Sequence, residues 1–278
     1  MAMYMNCLQW IAGLIAGGVF LLYILCQFNR VVHYHVKNVS SNLWYALLGV
    51  FVIPFTVWNP FDPANTRWFT FWIRTLCTKE IFDVKTNVKN LHYLDADEPR
   101  LLVGNHQSTM DQIGAMEIWP QRCAMVAKKS LLYAGTFGIA AWLCGTIFVD
   151  RRNATNAKET TDNIVNIIKK KKTSVWMYPE GTRSTSTDLD MLPFKKGAFY
   201  VAIQAQIPIV PVVFSNYKDS YNPKEYLFQP VEFTMTILPP ISTKGRKLSD
   251  VQELSDEVRE VMLKTYRETS PKKATKKD

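Results

Sequence analysis

No charged side chain precedes Arg30, and residues 8–28, LQWIAGLIAGGVFLLYILCQF, form an apolar block long enough to cross ~30 Å of hydrocarbon as a helix. The block has no basic flank ahead of it and exceeds the ~7–15 apolar residues of a signal-peptide core, so it reads as a retained anchor. Residues 38–61 again lack charge, and their centre at 43–58, LWYALLGVFVIPFTVW, predicts a second membrane helix that Pro54 kinks or shortens. Residues 1–60 are thus expected to form a membrane hairpin. At 16 strongly apolar residues the second segment could span or re-enter. Most basic residues follow position 62, which places the later part of the chain on the cytosolic face and a 30–42 loop opposite it.

Two further stretches invite a membrane reading. RWFTFWIRTLC sets Arg67 and Arg74 among aromatic residues, as expected of a helix in the headgroup layer; an amphipathic helix packed on the core gives the same pattern. LLYAGTFGIAAWLCGTIFV, residues 131–149, is free of charge for 19 residues. Hydropathy alone would make it a span. It is instead expected to be buried interior, broken by Gly135, Gly138 and Gly145 into a short helix, a turn and a strand.

Beyond residue 60, short apolar runs each stop at a polar cluster: LLVG before Asn105, TIFV before Asp150, SVWMY before Pro179 and IVPVVFS before Asn216. Continuous apolar runs are typical of strands buried on both faces, and helix patterns at 109–118, 157–171 and 196–206 alternate with them. VEFTMTILPP at 231–240 adds a strand, and 248–268 an amphipathic helix. The fold class is α/β: a mixed, mainly parallel sheet flanked by helices and preceded by the hairpin. Residues 61–268 would hold the interfacial helix and the catalytic domain, and 269–278 a basic disordered tail. In such sheets ligands bind beyond the strands' carboxyl ends, so the polar clusters should share one rim.

The excess of 33 basic over 24 acidic residues suits an anionic lipid or a phosphate-bearing substrate. Nucleic acid is disfavoured, since the aromatics fall in apolar runs instead of alternating with Lys and Arg. The five cysteines have no metal-ligand or disulfide-framework spacing, and no metal is expected.

Two clusters carry the chemistry. In NHQSTMD, residues 105–111, His106 and Asp111 would point apart on one continuous helix; they can cooperate if His106 lies in a loop, Ser108 caps a helix and Asp111 points back from its first turn. A carboxylate-oriented imidazole is a general base for a hydroxyl. There is no G-x-S-x-G of a covalent acyl enzyme, which favours direct transfer. In YPEGTRS, residues 178–184, Gly181 lets the backbone approach a ligand and Arg183 offers a forked donor to phosphate oxygens.

NHQSTMD, GTIFVDR, YPEGTRS and IPIVPVV occur in the order and at the intervals of the sequence blocks of the glycerolipid acyltransferases, and the chain most resembles those members that acylate lysophosphatidic acid. The resemblance implies transfer from acyl-coenzyme A, a co-substrate and not a cofactor, to the 2-hydroxyl of lysophosphatidic acid, giving phosphatidic acid in the endoplasmic reticulum membrane. His106 and Asp111 would be catalytic, and Glu180, Gly181, Thr182 and Arg183 would bind the phosphate. Asn105, Arg151, Lys128 and Lys195 are further candidates for substrate or coenzyme A contacts. Another lysophospholipid acceptor, or a non-catalytic membrane scaffold, remains the alternative at this stage.

Overall fold

A computed structural model of the chain describes residues 2–76, 78–95, 97–150, 157–184 and 188–271. Helices α1 (Ala2–Phe28) and α2 (Arg30–Thr56) are separated only by Asn29, whose side-chain oxygen accepts the backbone N–H groups of Val31 and Val32 and caps α2. Both are long and apolar enough to cross a membrane, but none of the apolar window of α1 is buried in the protein, against 28% for α2. Pro54 stands in the last turn of α2, so the helix ends beside it.

The 30–42 loop is a correction: these residues are the opening turns of α2 and lie against the domain they were expected to face across the bilayer. Lys37 pairs with Asp83 at 3.1 Å, His33 Nε2 is 3.1 Å from the Phe228 carbonyl oxygen, and Tyr34 is buried beside Tyr221. The polar side chains that suggested a loop are matched to partners on the domain surface, and one capped asparagine suffices for the bend.

Helix α3 (Thr66–Thr75) is the expected interfacial segment, yet packing takes most of its aromatic surface. Phe69 and Ile73 are buried with Leu48 and Val52, while Trp68 stacks on Phe55 at 4.5 Å and Trp72 lies 4.9 Å from Phe51. Phe71, Arg67 and Arg74 remain outward. Helix α4 (Thr78–Phe82) then leads into the sheet.

The remaining elements follow as β1 (Val84–Lys89), β2 (Leu101–Gly104), α5 (Met110–Glu117), β3 (Cys123–Lys128), α6 (Gly135–Leu143), β4 (Ile147–Val149), α7 (Ala157–Lys171), β5 (Ser174–Met177), α8 (Gly197–Ala205), β6 (Ile209–Phe214), β7 (Tyr221–Asn222), β8 (Leu227–Phe228), β9 (Val231–Ile237) and α9 (Val251–Thr269). Among the described residues they build a seven-stranded sheet in the order β1-β9-β6-β2-β5-β3-β4. Strands β6, β2, β5, β3 and β4 run parallel; β9 is antiparallel to β6, and β1 parallel to β9. The central strands are covered on both sides. Leu101 and Val103 join the core made with α7, α8 and α9, whereas Leu102 joins the one made with α5 and Tyr34 of α2. Sequence reading missed β1 and β3: VKTNVK is an edge strand whose alternate side chains reach solvent, whereas CAMVAK carries five successive apolar residues and was passed over despite them.

The run 131–149 is not a span. A 3-10 turn at Lys129–Tyr133, the nine residues of α6, a turn at Gly145 and β4 divide it, and nine helical residues reach only ~14 Å. Nor is it wholly interior, since Tyr133, Ile139 and Trp142 stay exposed. Helix α6 lies against α2, where Gly49 comes so close to the Thr136 backbone that a Cβ would sit 2.5 Å from its carbonyl carbon. Of the tail, residues 272–278 lie outside the described residues.

Candidate active site

Strands β2 and β5 pair in parallel, Val103 beside Met177, so the segments that follow them emerge side by side at the carboxyl rim. The two segments are stitched together. The Ser184 N–H donates to the His106 carbonyl at 2.8 Å, and the His106 N–H donates to Glu180 Oε1 at 2.8 Å. Residues 178–184 are therefore held against residues 105–111 by one main-chain bond and by the Glu180 carboxylate.

His106 sits in the loop after β2 and Asp111 is the second residue of α5. His106 Nδ1 lies 2.8 Å from Asp111 Oδ2, which also accepts the N–H groups of Gln107 at 2.7 Å and Ser108 at 3.0 Å. Asp111 Oδ1 accepts the hydroxyl of Tyr217. A fully buried carboxylate with this many donors is satisfied as an anion, so Nδ1 carries the hydrogen and Nε2 is left with its lone pair. Ser108 contributes one residue earlier than a formal cap: its Oγ accepts the Met110 N–H at 2.9 Å, and the N-cap position falls on Thr109.

Glu180 departs from its expected role. Its carboxylate is turned inward, 3% exposed, and accepts from the backbone N–H groups of His106 and Leu192. An acceptor so placed braces the loop and offers nothing to a phosphate. Burial pushes its pKa up to about 7 against the opposing pull of those two N–H bonds. Asn105 is likewise structural: its amide donates to the Phe214 carbonyl at 3.0 Å and accepts the Phe214 N–H at 2.8 Å, closing the seam with β6. Both its polar atoms are engaged with Phe214, and it is 2% exposed.

Gly181 has φ +70°, and a Cβ there would meet the Lys195 side chain at 2.8 Å. Its missing side chain thus makes room for Lys195, which crosses the motif. Thr182 and Arg183 are exposed on the rim, and Lys128 ends β3, one strand beyond β5. Arg151 lies outside the described residues. The main-chain donors of His106, Gln107, Ser108, Gly181 and Ser184 are all engaged within the protein. No group of three or more His, Cys, Asp or Glu side chains among the described residues is arranged to hold a metal ion.

Three contributors escaped sequence reading: Tyr217 and Lys218 come from another part of the chain, and Tyr178 opens YPEGTRS but carried no assigned role there. Tyr217, in the segment after β6, donates to Asp111 and exchanges a 2.8 Å hydrogen bond with Ser108; burial and the Asp111 charge raise its pKa, which keeps it a donor. The Tyr178 ring stacks on the His106 imidazole with centroids 4.1 Å apart. Lys218 is buried and donates to Ser184 Oγ at 3.2 Å, its pKa lowered by burial while Glu180 and Asp111 counteract the shift. The one available signal was the stretch NYKDS, polar residues directly after a buried strand on the same rim.

A family model named Acyltransferase matches residues 85–215, from β1 to just past the end of β6. The fold and the two facing motifs accordingly define an acyltransferase. The chain is 37% identical over 251 residues to 1-acyl-sn-glycerol-3-phosphate acyltransferase alpha of Homo sapiens, covering 90% of this chain and 87% of that one. It is 38% identical over 237 residues to the Bos taurus protein of the same name, covering 85% and 81%. The crystal structure of the 1-acyl-sn-glycerophosphate (LPA) acyltransferase PlsC from Thermotoga maritima matches with a TM-score of 0.68 at 20% identity, over 87% of this chain and 97% of that one, which supports the fold. The chain belongs to the 1-acyl-sn-glycerol-3-phosphate acyltransferase family.

Proposed function

We propose that the protein transfers an acyl group from acyl-coenzyme A to the 2-hydroxyl of 1-acyl-sn-glycerol 3-phosphate, forming phosphatidic acid and free coenzyme A. The observation that carries this reading is the His106–Asp111 pair, whose Nε2 lone pair faces away from Asp111 on the rim that also presents Arg183. His106 Nε2 takes the hydroxyl proton as the oxygen attacks the thioester carbonyl. Asp111 holds the imidazolium so formed. Collapse of the tetrahedral intermediate breaks the C–S bond, and the imidazolium returns its proton to the departing coenzyme A thiolate. Arg183 binds the acceptor phosphate through its forked donors. Lys128, Lys195 and, by family resemblance, Arg151 supply positive field for the phosphates of coenzyme A. Two helices long and apolar enough to cross a membrane suit a lipid-borne acceptor, and we assign the protein to the endoplasmic reticulum membrane with its site toward the cytosol.

The test is competition between lysophosphatidic acid and lysophosphatidylcholine with purified protein and acyl-coenzyme A, following both lipid products and thiol release. Phosphatidic acid should dominate; a preference for the choline lipid overturns the acceptor. In the same assay Arg183→Ala should raise KM for lysophosphatidic acid about 10- to 100-fold, the worth of a charge-assisted hydrogen bond, with little change in KM for the acyl donor. An effect confined to the donor would move Arg183 to the coenzyme A site.

A further inference from the structure

The two oxygens of the Asp111 carboxylate are held in different ways. Oδ2 meets His106 Nδ1 and the backbone N–H groups of Gln107 and Ser108, all from its own loop. Oδ1 accepts the hydroxyl of Tyr217, a residue 106 positions further along the chain.

The fold fixes that hydroxyl closely. Asn105 and Gln107 bond to the main chain of Phe214 and Ser215, so the segment after β6 starts beside the His106 loop. Ser215 Oγ accepts the Thr234 N–H at 2.9 Å, and Ser270 Oγ, at the end of α9, accepts the Asn216 N–H at 2.9 Å. The Tyr217 ring is buried, its centroid 5.1 Å from that of Phe233. Its hydroxyl lies 2.8 Å from Ser108 Oγ, which in turn accepts the Met110 N–H at 2.9 Å. Because the phenol hydrogen is given to Asp111, the Ser108 hydroxyl donates to the phenol oxygen. Three hydrogen bonds therefore run in series from the first turn of α5 through Ser108 and Tyr217 to the carboxylate, each donor polarised toward the anion by the one behind it.

We propose that Tyr217 is a positioning residue for the general base: it fixes the Oδ1 side of Asp111 and takes up part of the carboxylate charge, so that His106 presents its Nε2 lone pair to the acceptor hydroxyl. Buried as it is, Tyr217 touches no reactant and acts through Asp111. This rests on His106 serving as base in the reaction proposed above. A carboxylate left with its full charge would hold a proton on the imidazole more tightly, and base function would set in at higher pH.

The variant Tyr217→Phe keeps the ring against Phe233 and removes the donor. Loss of acyl transfer in His106→Ala, measured first, establishes the base independently of Tyr217. With the base established, Tyr217→Phe should move the acid limb of the kcat/KM profile to higher pH by about one unit, a tenfold loss on that limb that is recovered on the plateau. On the plateau, KM for both substrates should stay near wild type. Other ionisable groups act on the same carboxylate: Tyr45 of α2, Tyr178 and Glu180 of the segment after β5, Lys218 beside Tyr217 and Tyr266 of α9, with Arg183 on the same rim. Burial pushes Glu180 up to about 7 and lowers Lys218, so the comparison is repeated in Glu180→Gln and in Lys218→Met, where the shift should persist. Ser108→Ala, which removes the donor behind the phenol, should move the limb in the same direction by less, and it keeps the test open if Tyr217→Phe does not fold. An unmoved acid limb in both variants, a shift that vanishes in Glu180→Gln or Lys218→Met, or an equal loss of rate at every pH in Tyr217→Phe would overturn the proposal.

Discussion

Helix α1 and the run 131–149 look alike in sequence and meet opposite fates. Each is an apolar stretch of about twenty residues without charge and each contains three glycines. Around Gly13, Gly17 and Gly18 of α1 a Cβ would find nothing within 4 Å, and the helix runs through all three. In the second run, Gly135 and Gly145 take φ values of +57° and +72°, and a Cβ on Gly138 would collide with the carbonyl oxygens of Leu131 and Leu132. Hydropathy therefore measures whether a segment avoids water, and backbone geometry decides whether it avoids water in a membrane or in a fold. The second fate is the one function needs: a span at 131–149 would put NHQSTMD and YPEGTRS on opposite sides of a bilayer.

The strongest way to break this comparison is at the site that the folded run makes possible. His106→Ala should lower acyl transfer by about a thousandfold while the protein stays folded and membrane-bound, within the usual range for loss of a general base. Unchanged thiol release would remove the reason for bringing the motifs together. Next in size is Glu180, which joins the two segments. A carboxyl group raised by burial from 4.5 to about 7 contributes stability that is complete below about pH 4.5 and lost as the pH rises through about 7. The whole effect is about 3 kcal/mol, and Glu180→Gln should flatten that part of the stability profile measured by denaturant titration. A profile as steep in the variant as in the wild type would assign the dependence to another group.

A direct contrast of glycines is expected to be smaller. Gly138→Ala should destabilise by roughly 1–3 kcal/mol through overpacking, whereas Gly17→Ala should be neutral or stabilising by up to ~1 kcal/mol, as alanine favours a helix. Equal thermal shifts in the two variants would erase the distinction. Smallest is a difference in labelling rate: a lipid-soluble thiol reagent should reach Cys26 of α1 before Cys144, which is buried beside α6 with its thiol pKa raised by desolvation. Faster modification of Cys144 would mean that the run opens to the bilayer.

Much of the fold was legible because its signals are local. The strands before Asn105, Asp150, Pro179 and Asn216 read as short apolar runs, and the loop placement of His106 with Asp111 in the first turn of α5 follows from their five-residue spacing. The 30–42 segment was misread because unpaired polar residues in a sequence look like a loop; here Lys37 and His33 find partners on Asp83 and Phe228, far along the chain. Glu180 and Asn105 were misassigned for a related reason, since a motif names a residue type without showing which way its side chain turns.

The sequence by itself determined that two segments avoid water, that the sheet is mainly parallel, and that a histidine–carboxylate pair and an arginine stand at strand ends. Apolar periodicity, glycine positions and residue spacing act over a few residues, and no distant partner is needed to read them. Tertiary structure alone decided that the run 131–149 folds against α2, that Glu180 braces the loop instead of meeting a ligand, and that Tyr217 reaches Asp111 while Tyr178 stacks on His106. Those outcomes depend on which surfaces meet across long separations in the chain, where burial and hydrogen-bond matching are settled jointly by both partners.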